Sequence, residues 1–176
     1  MRPTVLQVAA VDSCILTTRV TIDVLRRYDV RCRPLAVKLL AMNAEWAKRE
    51  KSGEEPTEAW KQQGAWCVGM GYGAPDHKPE GGFDGHVVTI AEEALLMDLS
   101  LDQASRPEHG MRLKPAVFAL EPAFFLGQAQ VWRNDDAHLA YYPMPDNKRF
   151  LQAKDWRQRD ITKAIVREVV AKIGRR

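Results

Sequence analysis

Apolar and polar positions recur along this chain with two periods, one helical and one extended. Residues 4–11 form an apolar run that ends at Asp12-Ser13, both good helix N-caps. Over 14–28 the apolar residues Ile15, Ile22 and Leu25 recur at helical spacing. Arg26 and Arg27 close the last turn, where cations suit the helix dipole. That segment predicts a helix. Pro34 and the apolar run after it predict a strand over 31–41. Residues 43–63 are polar, contain Ser52-Gly53 and Pro56, and predict a loop with a helical turn or two. GAWCVGM (64–70) predicts a second strand, and HVVTI (86–90) with ALLMDL (94–99) predicts a hairpin around Ala91-Glu92-Glu93. AVFAL, FFLGQAQVW and HLAYY supply further strand candidates within 115–142. Ile161, Ile165, Val169 and Ile173 lie four apart and predict a final helix with one apolar stripe. A helix, then mostly strands, then a helix predicts an α+β domain over 1–176, with an antiparallel sheet and a C-terminal helix.

Composition narrows the function classes. The 176 residues are 45% hydrophobic and 28% charged, the balance of an ordinary globular domain, which excludes a disordered tail or a collagen-like fibre. Lys and Arg total 26 against 23 Asp and Glu, and a net charge of +3 argues against a nucleic-acid partner. No run approaches the roughly 20 apolar residues that span a bilayer. The N-terminus lacks the apolar core and cleavage site of a secretory leader. The three cysteines, Cys14, Cys32 and Cys67, include no CxxC pair, so neither a disulfide framework nor a zinc site is expected. The expectation is a cytoplasmic protein with reduced thiols and neither metal nor cofactor.

Three residues carry candidate chemistry. Cys14 falls in the first turn of the first helix if Asp12 or Ser13 caps it. There, unpaired N–H groups and the helix dipole favour the nucleophilic thiolate and can hold an oxyanion. A hairpin with the loop 91–93 pairs Ile90 with Ala94, Val88 with Leu96 and His86 with Asp98. Opposed residues share a face, so Asp98 can accept from one imidazole nitrogen and leave the other for a nucleophile. A one-residue slip would turn Asp98 to the other face. Asp102 is a second candidate for the acid. The glycine-rich loop 71–85 precedes His86 and is a candidate lid. Trp66, Tyr72 and Asp84 on or beside it are candidates for substrate contact, with Trp46 and Trp60 further candidates for a groove. Cys32 and Cys67 read as packing residues. His77, His109 and His138 are scattered and suggest no ligand set.

The segments DSCILTTRVTIDVLRRYDVRCRPLAVKL (12–39), FDGHVVTI (83–90) and LLMDLS (95–100) resemble the papain-like transglutaminase superfamily. They are similar to bacterial transglutaminase-like cysteine proteinases and to lasso-peptide leader proteases. The resemblance covers about residues 4–106. It implies a Cys–His–Asp triad of Cys14, His86 and Asp98, and a Cys-bearing helix packed on an antiparallel sheet or half-barrel. It also suggests Gln7 as an oxyanion donor upstream of the thiol. The chain departs from many members after the histidine, where Val87-Val88 stands in place of an aromatic pattern. The implied activity is cleavage of a peptide or amide bond through a thioester, on a peptide or protein substrate or a small acyl donor. Transfer of the acyl group to an amine, and a non-catalytic binding module of the same fold, are the alternatives. The sequence leaves residues 107–176 and the oligomeric state without a reading.

Overall fold

The computed structural model describes residues 14–72, 83–134 and 137–174. Helix α1 (Cys14–Leu25) passes through a 3-10 turn at Arg26–Tyr28 into β1 (Cys32–Asn43). Asn43 ends that strand and caps the next helix, its side chain accepting from the Trp46 N–H at 3.0 Å. The polar stretch expected to be mostly loop therefore folds as α2 (Ala44–Lys51) and α3 (Glu58–Gln62). Strands β2 (Cys67–Met70), β3 (His86–Ala91), β4 (Leu95–Asp98) and β5 (Ala116–Ala119) follow. Pro122 opens a short helix, α4 (Pro122–Phe125), where an apolar strand was expected. Then come β6 (Gln130–Asn134), β7 (Ala137–Pro143), α5 (Lys154–Arg157) and α6 (Arg159–Ile173).

The expected α+β class with an antiparallel sheet is what the chain adopts. Every strand pair is antiparallel, in the order β5-β4-β3-β1-β7-β6. The 12-residue β1 is the spine: β3 pairs with its first half, β2 with its second, and β7 covers its other edge. The sheet rolls until its two outer strands meet. The Phe118 ring of β5 stacks on Trp132 of β6 with centroids 4.9 Å apart, although these strands stand at opposite ends of the order. Inside the roll lie Leu35, Val37 and Leu39 of β1, Val88 and Ile90 of β3, Leu96 of β4, and Leu139 and Tyr141 of β7. A second layer covers the outer face. There α1 packs on β3 and β1, and α6 packs on α1 through Leu16, Val20, Val24, Ile165, Val166 and Val169. The buried face of α6 is thus Thr162, Ile165, Val166 and Val169. The expected stripe is rotated, and Ile161 and Ile173 lie exposed. Among the described residues no helix is long and apolar enough to cross a membrane.

Candidate active site

The β3–β4 hairpin sets the site. Its ladder pairs Thr89 with Met97, Ile90 with Leu96 and Ala91 with Leu95, so its turn is 92–94 rather than 91–93. The register differs from the expected one by two residues. Continuing it puts Asp98 opposite Val88, diagonal to His86. Because strand side chains alternate with period two, a two-residue slip keeps Asp98 on the face of His86. The side chains close the diagonal, and His86 Nε2 lies 2.8 Å from Asp98 Oδ2 with both side chains wholly buried. Positive φ at Glu92 and Glu93 makes this turn possible. Arg31, just before β1, and Arg33 within it hold the Glu92 and Glu93 carboxylates with two bonds each from the guanidinium groups.

Asp98 has more partners than the histidine. Tyr141 of β7 donates its hydroxyl to Oδ2 at 2.9 Å, and Ser100 donates its N–H and its hydroxyl to Oδ1, each at 3.2 Å. Burial alone would raise the Asp98 pKa, but the His86 charge and these donors outweigh it and hold the carboxyl below its ordinary value. For His86, burial would lower the pKa. The Asp98 charge and hydrogen bond, with those of Cys14, reverse that and raise it to about 10. The acid bonded to His86 is Asp98; Asp102 lies beyond β4, in the 3-10 turn Leu101–Ala104.

Cys14 is the first described residue and opens α1, while Asp12, Ser13 and Gln7 lie outside the described residues. Its side chain influences the His86 ring both by hydrogen bonding and by charge. Nε2 is engaged by Asp98, and Nδ1 is buried with no nitrogen or oxygen bonded to it among the described residues. That leaves Nδ1 as the ring atom to meet the sulfur. The helix is fixed against the histidine's own strand, since Thr18 donates its hydroxyl to the Val87 carbonyl at 2.8 Å. Cys14 packs with Ala36, Val87 and Phe150, flanked by Ile15, Phe83, Met144 and Trp156. The Phe83, Phe150 and Trp156 rings meet edge to face. Gly85 admits Phe83 to this cluster: its φ is +146°, and a Cβ there would stand 2.6 Å from the ring.

The other candidates divide. Trp66 stacks on His109 beside Asn43, whose backbone N–H donates to the Trp66 carbonyl at 3.0 Å. His86 pairs with Val37, six residues back along β1, a separation of about 20 Å at strand spacing. Trp66 is therefore part of a structural cluster and does not join the site. Trp46 and Trp60 pack edge to face, with Trp60 buried. Tyr72 lies half exposed, its ring beside Tyr142 and under the Lys38 ammonium. Asp84 is half-buried next to Gly85. Residues 73–82 of the candidate lid, including His77, lie outside the described residues. Cys32 and Cys67 are half-buried, and burial raises both thiols, Cys67 to about 11. Sequence reasoning missed Tyr141, Ser100, Met144, Phe150 and Trp156. Tyr141 gave only a strand signal, and nothing in its spacing marks a partner 43 residues away. Comparison with protein-family models, curated proteins and solved structures gives no match.

Proposed function

We propose that this chain is a thiol-dependent hydrolase that cleaves a peptide or amide bond with Cys14, His86 and Asp98. The observation that carries the reading is the buried His86–Asp98 bond at 2.8 Å, with Cys14 acting on the same ring. The start of α1 and the β3–β4 hairpin, far apart in sequence, bring a thiol, an imidazole and a carboxylate together, which a purely structural histidine does not need. In the reaction the Cys14 proton rests on His86 Nδ1, as a thiolate–imidazolium pair, and the sulfur attacks the carbonyl carbon. The oxyanion meets the N–H groups of the first turn of α1. The carbon–nitrogen bond breaks as Nδ1 returns the proton to the departing amine. Water, deprotonated by the same nitrogen, then splits the thioester and restores the thiol. The apolar wall of Phe83, Phe150 and Trp156 excludes water from the charges and strengthens their interaction. A Cys-bearing helix packed on a rolled antiparallel sheet also supports placing the fold in the papain/transglutaminase-like superfamily.

p-Nitrophenyl acetate tests the proposal without knowledge of the substrate. The protein is expected to release a stoichiometric burst of p-nitrophenolate and to carry an acetyl group on Cys14 by mass spectrometry. Cys14→Ala removes both, and His86→Ala slows the burst roughly 10²–10⁴-fold. Acetylation elsewhere than Cys14, or an equal rate in His86→Ala, would overturn it. Adding a primary amine decides the acceptor: hydrolysis gives acetate, transfer gives the amide.

A further inference from the structure

We propose that Tyr141 is a positioning residue of this site, whose hydroxyl keeps Asp98 an anion and thereby keeps the Nε2 proton on His86 and sets how readily Nδ1 gives up its own. The inference rests on the hydrolase reading for its purpose, and on geometry for its substance. Tyr141 comes from β7, outside the three segments that bear the triad, and its side chain is fully buried. Its hydroxyl and His86 Nε2 converge on the same carboxylate oxygen, at 2.9 and 2.8 Å. Ser100 takes the other oxygen twice. A carboxylate offers about four acceptor sites, so the complement is full.

A His–Asp pair in a dry interior has two neutralities available. In one, the proton sits on the imidazole and the carboxylate is an anion. In the other, the proton moves to the acid and both groups are neutral. The second is the cheaper state in a medium that penalises charge. Neutral donors aimed at the carboxylate tip the balance to the anion. The consequence reaches the ring. Beside an anionic Asp98 the ring keeps its proton on Nε2, first as an imidazolium and then, once Nδ1 has given up its own proton, as a neutral imidazole with the Nδ1 lone pair towards Cys14. Beside a protonated Asp98, Nε2 must accept, and the one proton left on the ring is that on Nδ1, held by a neutral imidazole that gives it up less readily. The titratable groups acting on the pair from the surrounding elements are Cys14 of α1 and Tyr141 of β7. Burial and the Asp98 charge raise the phenol well above its ordinary value, so it remains a donor at every working pH.

The test is Tyr141→Phe, which removes one oxygen and keeps the ring. The readout is the pair of His86 imidazole ¹⁵N shifts followed across pH, which reports the ring proton whether or not Cys14 reacts. In the native protein Nε2 is expected to keep its proton throughout, with Nδ1 the nitrogen that loses one as pH rises. In Tyr141→Phe the Asp98 anion has lost a donor, so the Nδ1 proton is expected to leave at a pH higher by about one unit or more, and below that midpoint the Nε2 shift is expected to move towards that of an unprotonated nitrogen. The acid limb of Cys14 alkylation by iodoacetamide should move with it. Placing 3-fluorotyrosine at position 141, a stronger donor of nearly the same shape, should move the midpoint the opposite way. That arm decides the matter if the phenylalanine variant fails to fold. Superimposable ¹⁵N titrations in native and variant protein would overturn the inference. An inert Cys14 with a displaced ¹⁵N titration would sink the hydrolase reading and leave Tyr141 in its role.

Discussion

A carboxylate that accepts four hydrogen bonds away from water is expensive to disturb at any one of them. Asp98→Asn removes the charge that His86 faces and is expected to cost about 3–5 kcal/mol of stability, besides slowing acylation. The complete burial of the pair makes the loss of stability large. The pH dependence has a definite sign. The His86 pKa rises on folding from 6.5 to about 10, against the cost of its burial, through Asp98 and Cys14. Its contribution is therefore complete below about 6.5 and lost as pH rises through about 10. The Asp98 pKa falls on folding from 3.8, so its contribution is complete above that value and lost as pH falls through the lower folded one. The stability gap between native protein and Asp98→Asn should accordingly be widest between about pH 4 and 6.5. Urea unfolding at pH 5 and at pH 10.5 checks this, and an equal gap at both would mean that the pair is not ionic. Cys14, His86 and Asp98 were legible because thiol, imidazole and carboxylate are few and their spacing is local to a helix start and a hairpin. Tyr141 was not, because a tyrosine in an apolar strand reads as core and its partner is fixed only by the sheet order.

At the scale of elements, the hairpin shows what periodicity carries and what it does not. Alternation in HVVTI and ALLMDL fixed the facing of the side chains, and the face survived a two-residue error in register. The register itself depends on the turn, and two non-glycine residues with positive φ leave no composition signal of the usual Asn-Gly kind. Residues 43–63 hid two helices for a similar reason, since the cap at Asn43 also ends a strand. The docking of α1 on β3 belongs to this scale. Thr18→Val keeps the side chain's shape and leaves the buried Val87 carbonyl without its donor. It is expected to lower stability by about 1–3 kcal/mol and to slow Cys14 acetylation while leaving the His86 ¹⁵N titration in place. Denaturant unfolding and burst kinetics measure the two effects, and unchanged kinetics would mean that the bond does not align the helix.

For the whole molecule the decisive event is the rolling of the sheet. Phe118 meets Trp132 across the strand order, and Trp132 in turn lies 5.5 Å from the Tyr141 ring. Trp132→Ala should cost about 3 kcal/mol and should also broaden the His86 ring resonances, as the wall behind Tyr141 loosens. Sharp, native-like resonances in a destabilised variant would confine Trp132 to packing. Little of this was legible in the sequence. Strand candidates within 115–142 were visible, but which strands become neighbours is a long-range choice that local pattern does not encode.

The strands that complete the roll also bear on whether the proposed chemistry can be transplanted. A fragment ending at residue 106 would keep the thiol, the imidazole and the acid, yet lose β7, which pairs with the spine strand over Val37–Asn43 and brings the phenol. Grafting the segments around Cys14, His86 and Asp98 alone should therefore yield an inert polypeptide. The closed shell, rather than those three residues by themselves, is the smallest piece that could carry the proposed chemistry.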